Sequence, residues 1–493
     1  MKSPLEEVGA NLNCRFAHKI CKFWANSGMN LVRVPLTAIT SSLNFVLNPP
    51  PLGENNAYSD YFCVKERNSS YVTEALAGVT TFATMAYILA VNPAILSEAG
   101  MPAAELIVVT AIAAAIFSIL MGLVANIPIA QAPGMGANAL FAYTLVLSQG
   151  IPWQSALGLV FWSGVFFLLL TVLGIRQILL NAFPPALRYS LTVGIGLFIA
   201  FIGVKNAGLV SAADAPLLIT IGDLKNNATT LSVFGLVATI ALLRLRIPGA
   251  ILIGIALVTC LGFFVSSAGH SVTQLPESIL AIPSFPGEIF MQLDISFLWR
   301  EFDRALPGLL TLIFLDLFSS LVALNAMCQR AGLADETGSM KNPERGLSAD
   351  ALATMGAAML GTSTTNVYAE SAAGIESGGR TGVTAIVVGL LFAASLFFSP
   401  LIAIVPAAAT SPALIIIGVL MFSEVRRIEF NDMAYAAPAV LTIFLMPLTS
   451  ISDGMAMGLI AYVCIMVLSG EIREIHWLSM LLALTLIAYY VIQ

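Results

Sequence analysis

After residue 70 the chain alternates long apolar runs with short polar connections almost to its end. A run of roughly 18 or more apolar residues can cross a bilayer as a helix. The pattern predicts spans near 72–96, 104–126, 136–149, 152–175, 188–205, 231–244, 249–268, 307–328, 346–360, 368–379, 383–405, 409–422, 434–449 and 454–469, with a further apolar stretch over 476–492. The expected class is an all-α integral membrane protein of about 14 spans, not a string of soluble domains.

Two segments break the pattern. "NIPIAQAPGMGANALFAY" (Asn126–Tyr143) and "GTSTTNVYAESAAGIESGG" (Gly361–Gly379) are too short or too rich in Gly and Pro for ordinary spans. Each joins a polar or β-branched extended stretch to a short helix. Such backbone is tolerated at membrane depth only where it is buried in protein or lines a cavity. The two breaks hold third and tenth place among the spans. That spacing predicts two inverted seven-helix repeats, 71–268 and 305–493, within a transporter domain of 71–493. Paired broken helices in matching places mark a transport site near the midplane. Counting nine residues on from Gly122 and from Gly361 gives Gln131 and Glu370 as matched positions. "SEAGM" (Ser97–Met101) and "DETGSM" (Asp335–Met340) add a weaker match between the repeats.

Composition agrees, with 58% hydrophobic and 10% charged residues among 493. The net charge of −6 says little, because charge is confined to connections. If residue 70 is cytoplasmic and the spans alternate, thirteen Lys and Arg from Lys65 to Arg473 fall inside. Only Lys205, Lys225, Arg300 and Arg304 fall outside. This asymmetry predicts a cytoplasmic N-terminus and an outward loop over 269–304. The sequon Asn227-Ala228-Thr229 would also face outward, where it counts only in a eukaryotic secretory pathway. Residues 1–70 mix bases with aromatic and aliphatic residues and show no signal-peptide cleavage site. They are expected to form a cytoplasmic N-terminal extension. It reads either as a tail with a membrane-surface helix or as a poorly ordered addition from an upstream start codon. The six cysteines are scattered, without metal-ligand spacing. His18, His270 and His476 all lie outside the long apolar cores, which argues against a histidine-based metal or catalytic site inside the membrane. "GMGA" lacks the Lys and Ser/Thr of a phosphate-binding loop.

Ionisable residues inside spans are costly and point to function. Asp316 lies mid-span in "LTLIFLDLFSSLVAL", and Glu370 and Glu376 lie in the second break. Asp316 is a candidate for substrate contact or for carrying a coupling proton. The structural alternative is a bond to Ser319 or Ser320. Glu370 at a half-helix start is a candidate substrate ligand, alternatively an N-cap partner only. Glu376 precedes Arg380 by four residues, the favourable order for a helical ion pair, and reads as structural. In the first break, Asn138 can donate and accept hydrogen bonds, or serve as glue between helices. Gly134 would allow close backbone approach. Gln131, Gly134 and Ser371 complete the candidate substrate-binding set. Two deep acids and two amides, with no mid-membrane base, suit a ligand rich in N–H donors.

Four segments resemble the adenine/guanine/hypoxanthine permeases of the wider nucleobase–ascorbate transporter group. They are "AGVTTFATMAYILAVNPAIL" (Ala77–Leu96), "APGMGANALFAY" (Ala132–Tyr143), "FLDLFSSLVAL" (Phe314–Leu324) and "TSTTNVYAESAAGIESGGRTG" (Thr362–Gly382). The resemblance covers about residues 65–490 and implies a core domain (spans 1–4 and 8–11) and a gate domain (spans 5–7 and 12–14). It implies proton-coupled purine uptake by alternating access across the plasma (cell inner) membrane, without enzymatic chemistry. The family's acids fall on Asp316 and Glu370 and its asparagine on Asn138. The implied partners are a purine nucleobase, a proton, the lipid bilayer and, as one option, a second copy of the chain, with no nucleic acid. No metal or other cofactor is implied beyond H+ as the coupling ion. The extension departs from the family pattern. The alternative is an anion carrier or channel of the same core/gate architecture.

Overall fold

The computed structural model describes residues 61–173, 183–212, 219–267, 270–276, 278–334 and 343–492. Most of the N-terminal extension, Arg176 and the DETGSM segment lie outside the described residues. The fold is helical. Nine helices among the described residues are long and apolar enough to cross a membrane, and shorter apolar helices lie between them.

In chain order, α1 (Tyr71–Met85) and α2 (Ile88–Ser97) share the first predicted span and part at Ala86–Tyr87. The Ser70 side chain opens α1 by accepting the Thr73 N–H at 3.2 Å, which satisfies one of the free amides of a helix start. Next come α3 (Ala103–Val124), strand β1 (Gln131–Pro133), the short α4 (Met135–Ala139) with a π-helical continuation over Leu140–Ser148, and α5 (Trp153–Val172). The middle of the chain forms α6 (Pro185–Asn206), α7 (Asn227–Arg244) and α8 (Ala250–Gly262). Then follow α9 (Phe302–Arg330), α10 (Pro343–Leu360), strand β2 (Thr365–Val367), the half-helix α11 (Ser371–Glu376) and α12 (Gly382–Ser395). The last four helices are α13 (Ala407–Phe422), α14 (Met433–Leu448), α15 (Ile451–Leu468) and α16 (Trp477–Ile492).

Packing sorts these elements into two sets. In one, α12 lies on α3 and α1, α10 on α5 and α3, and α9 on α5. In the other, α6 lies on α13 and α14, α7 on α8 and α13, and α14 on α15. Small residues let the axes close where the first set is tightest. A Cβ on Gly122 of α3 would stand 2.5 Å from the Gly382 carbonyl of α12, so neither position admits a side chain without parting the helices.

One buried carboxylate ties the first set together. Glu74 of α1 has no exposed surface. It accepts from the backbone N–H of Arg380 (3.0 Å) and of Thr381 (3.2 Å), and from the Thr384 hydroxyl, at the start of α12. Charge-assisted bonds at a helix N-terminus, where the dipole favours an anion, explain an acid in this place. Glu74→Ala should destabilise the fold by on the order of 3 kcal/mol, because buried donors lose a charged acceptor. Thermal unfolding of the purified variant in detergent checks this, and an unchanged midpoint would refute it.

On the opposite side of the chain order, the connection before α9 straps α3, α5 and α10. The Glu105 carboxylate accepts the Glu288 and Ile289 amides, Asp294 N–H donates to the Gln154 carbonyl at 2.9 Å, and Met291 N–H donates to the Met359 carbonyl at 2.8 Å. The Ser296 hydroxyl, helped by Arg300 and Ser155, holds the Asp294 carboxyl below the usual carboxylate range.

Candidate functional site

The two breaks meet. β1 and β2 pair antiparallel, with Gln131 opposite Val367, Ala132 opposite Asn366 and Pro133 opposite Thr365. Flanking backbone bonds extend the ladder, from Gly134 N–H to the Thr364 carbonyl (2.9 Å) and from Tyr368 N–H to the Ala130 carbonyl (3.1 Å). The Tyr368 hydroxyl closes it by donating to the Pro133 carbonyl at 2.6 Å. Each strand thus satisfies the other's polar backbone where lipid offers no partner. Each strand leads into a short helix, with Gly134 at the position just before α4 and Glu370 at the position just before α11. By position before the short helices, Gly134 corresponds to Glu370, whereas the nine-residue count pairs Gln131 with Glu370; the two differ because one residue separates β1 from α4 and three separate β2 from α11.

Glu370 makes no capping bond to α11. Its carboxylate accepts from the Tyr87 hydroxyl, which stands at the Ala86–Tyr87 break between α1 and α2. Asp316 is 1% exposed on α9. It is joined to β2 through Asn366, whose amide in its satisfied orientation donates to Asp316 Oδ1 at 3.2 Å and to the Thr365 carbonyl at 2.8 Å. The hydroxyls of Thr365 and Ser320 are buried without a hydrogen-bond partner among the described residues, and the Thr364 hydroxyl lies beside the Asp316 carboxyl. Ser319 instead donates to the Leu315 and Asp316 carbonyls of its own helix. Both deep acids are thus anchored to one strand–helix unit, each with acceptor capacity in hand.

The amides do different work. Asn138 is fully buried, donating to Asn92 Oδ1 at 2.6 Å and accepting from the Ser363 hydroxyl. Asn92 passes the chain on to Thr110 at 2.6 Å. Asn138 thereby locks α4 to α2 and to the segment that leads into β2. Gln131 is fully buried and donates to Asp350 Oδ1 of α10 at 2.7 Å, while its backbone exchanges bonds with the Ser118 hydroxyl of α3. The Ser371 hydroxyl accepts the Ala130 N–H at 3.1 Å, another tie between the breaks.

Gly134 is kept free of a side chain by Asn366. A Cβ there would fall 2.5 Å from the end of the Asn366 amide that faces away from Asp316, its oxygen in the satisfied orientation. Gly134→Ala should push Asn366 off Asp316 and destabilise the ladder by about 1–3 kcal/mol, the usual cost of overpacking. Thermal unfolding of the purified variant checks this, and an unchanged midpoint would refute it.

One sequence expectation is corrected. Glu376 does not pair with Arg380. α11 ends at Glu376, so the i,i+4 geometry is never formed, and Glu376 pairs with Arg330 of α9 at 3.5 Å. Arg380 instead donates to the Ile375 and Gly379 carbonyls and closes the end of α11. Sequence reasoning also counted too few deep acids. Glu74 and Asp350 are 0% and 1% exposed. Tyr87 was missed because an isolated tyrosine in an apolar run carries no signal until its break is known.

A helical membrane protein whose two interrupted helices meet at buried acids belongs, as a class, with the carriers. A family model described as a permease family matches residues 72–457. The adenine permease AdeP of Escherichia coli K12 is 37% identical over 86% of this chain and 94% of its own length. The guanine/hypoxanthine permease PbuO of Bacillus subtilis is 39% identical over 86% of this chain and 98% of its own length. The chain belongs to this permease family, the nucleobase–ascorbate transporters, and its relatives are permeases, not enzymes. Its fold is also that of the transmembrane domain of the cyanobacterial bicarbonate transporter BicA, with a TM-score of 0.58 at 14% identity over 78% of this chain and 97% of that one. SLC26A9 gives a TM-score of 0.60 at 11% identity over 88% of this chain and 70% of that one.

Proposed function

We propose that this permease takes up the purine nucleobases adenine, guanine and hypoxanthine with a proton, by alternating access, across the plasma (cell inner) membrane with its N-terminus in the cytoplasm. The single observation that carries this reading is Glu370. It stands at the start of a half-helix, capping nothing, with a tyrosine hydroxyl to orient it. A carboxylate can accept two parallel hydrogen bonds from a planar heterocycle. The amides at the starts of α4 and α11 offer further donors. Asp316 would contact the base or carry the proton. Gln131, Asn138, Gly134 and Ser371 would set the frame, and in the structure they tie elements together. The names of the adenine and guanine/hypoxanthine permeases support the substrate class.

In this reading the set of α1–α5 and α9–α12 is the core, and α6–α8 with α13–α16 is the gate. The gate would rock against a site held on the core. Uptake of radiolabelled hypoxanthine, guanine and adenine in cells lacking their own carriers, with and without a protonophore, tests the proposal. Accumulation that ignores the protonophore would refute the coupling.

The fold shared with a bicarbonate transporter keeps one rival in view, an anion carrier. Three acids near the breaks, Asp316, Asp350 and Glu370, oppose an anion, and neither Asp316 nor Glu370 forms an ion pair among the described residues. Competition by bicarbonate or sulfate, with none by purines, would reverse the choice.

A further inference from the structure

A second polar cavity lies far from the breaks in chain terms, among the ends of α6, α14 and α15. It encloses about 570 Å³, within the range of roughly 300–1,000 Å³ usual for small-molecule sites. Its aromatic wall is Tyr189, Tyr435 and Tyr462, and its acidic wall is Glu429, Asp432 and Glu474. Tyr435 and Tyr462 stack with ring centroids 5.8 Å apart. The one guanidinium lining the cavity, that of Arg427, sits 5.7 Å from the centroid of the Tyr189 ring and pairs with Glu424 at 3.0 Å. It therefore does not neutralise the acidic wall. Asp432 spends one oxygen capping α14 through the Ala434 N–H, whereas Glu429 and Glu474 form no ion pair among the described residues. His476 accepts the Leu478 N–H through Nδ1 at 3.3 Å. The most telling group is Tyr462. It is 4% exposed as a residue, yet it lines the cavity, and no hydrogen bond ties its hydroxyl to another described residue. An occupant of the cavity can therefore donate to that oxygen without displacing a protein partner.

We propose that this cavity binds a small organic cation of the alkylammonium or polyamine class. An ammonium group carries three donors and no acceptor, which matches carboxylate acceptors and the Tyr462 oxygen. Its charge is attracted to the tyrosine faces, as the Arg427–Tyr189 contact already illustrates. An anion is opposed by the acidic wall. A neutral nucleobase would stack equally well but would leave the wall uncompensated. Because the cavity is built from α6, α14 and α15, an occupant links three helix ends. Occupancy should therefore slow transport, a consequence that rests on these helices moving as the gate. The binding itself does not depend on that reading.

The test is calorimetric titration of the full-length protein in phosphatidylcholine nanodiscs with spermidine, at ionic strength held constant with NaCl. The expected result is one saturable site. Glu429→Gln combined with Glu474→Gln should weaken it roughly tenfold or more, and Tyr462→Phe, which keeps the ring, should weaken it severalfold. Binding is read without transport, so a failed uptake proposal and a failed cation site remain distinguishable. Absence of saturable heat, an affinity untouched in both variants, or displacement of spermidine by adenine would each overturn the proposal. Should the double variant not fold, Tyr462→Phe alone decides.

Discussion

Glu370→Ala should reduce nucleobase uptake by roughly 100-fold while leaving the protein in the membrane at its normal level. The estimate follows from the bonds at stake. A hydrogen bond to a charged group is worth about 1.5–3 kcal/mol, and a planar base can make two to one carboxylate. Losing about 2.7 kcal/mol corresponds to a factor of roughly 100. The protein should survive, because the Glu370 side chain caps no amide of α11 and bonds Tyr87, while the backbone carbonyl that accepts from Ala373 is kept in alanine. Glu376→Ala supplies the contrast six residues away. Its pair with Arg330 is 3.5 Å long, with side chains 73% and 55% exposed. Exposed pairs contribute about 0–1 kcal/mol, so uptake should change less than about twofold. Equal losses in the two variants would remove Glu370 from the site.

Asp316→Asn should separate movement of the base from its accumulation. The substitution keeps the volume and one acceptor while removing the titratable proton. If Asp316 carries the coupling proton, preloaded vesicles should still exchange labelled for unlabelled hypoxanthine at a rate within about tenfold of wild type, while gradient-driven accumulation falls to the level seen with a protonophore. The structure gives reason to expect a folded variant. Asn366 bonds one Asp316 oxygen at 3.2 Å, an acceptor that asparagine keeps, and the Thr364 hydroxyl beside the carboxyl can accept from an amide as well as donate to a carboxylate. Accumulation at the wild-type level in the Asn variant would place the coupling elsewhere.

Much of this architecture was legible in the sequence because lipid imposes so strong a rule. Apolar runs long enough to span must be helices, and runs interrupted by Gly and Pro must be buried. The two breaks were therefore visible as segments, and Asp316 stood out as an acid with no polar excuse. What stayed hidden depended on partners distant in the chain. Glu74 looks like an ordinary first-turn acid until α12 is seen to place three donors on it. Asp350 sits close to a span start, where charge is unremarkable, and its burial follows from Gln131 reaching it across more than two hundred residues. The Glu376–Arg380 pairing failed for a local reason. The helix was assumed to continue, yet Gly378, at φ +104°, turns the chain before Arg380.

The ladder between β1 and β2 also constrains how the molecule is made. It joins residues 131–133 to residues 365–367. A ribosome that has delivered β1 must add roughly 230 more residues before its partner exists, so the pairing has a very high contact order. Until then, polar backbone of the first break has no strand to bond and no water at depth to replace it. The first half of the chain is thus obliged to wait beside the translocon, or in a looser, wetter arrangement, and the site matures only when both halves are present. Folding at the ladder between β1 and β2 is therefore late and depends on both halves of the chain.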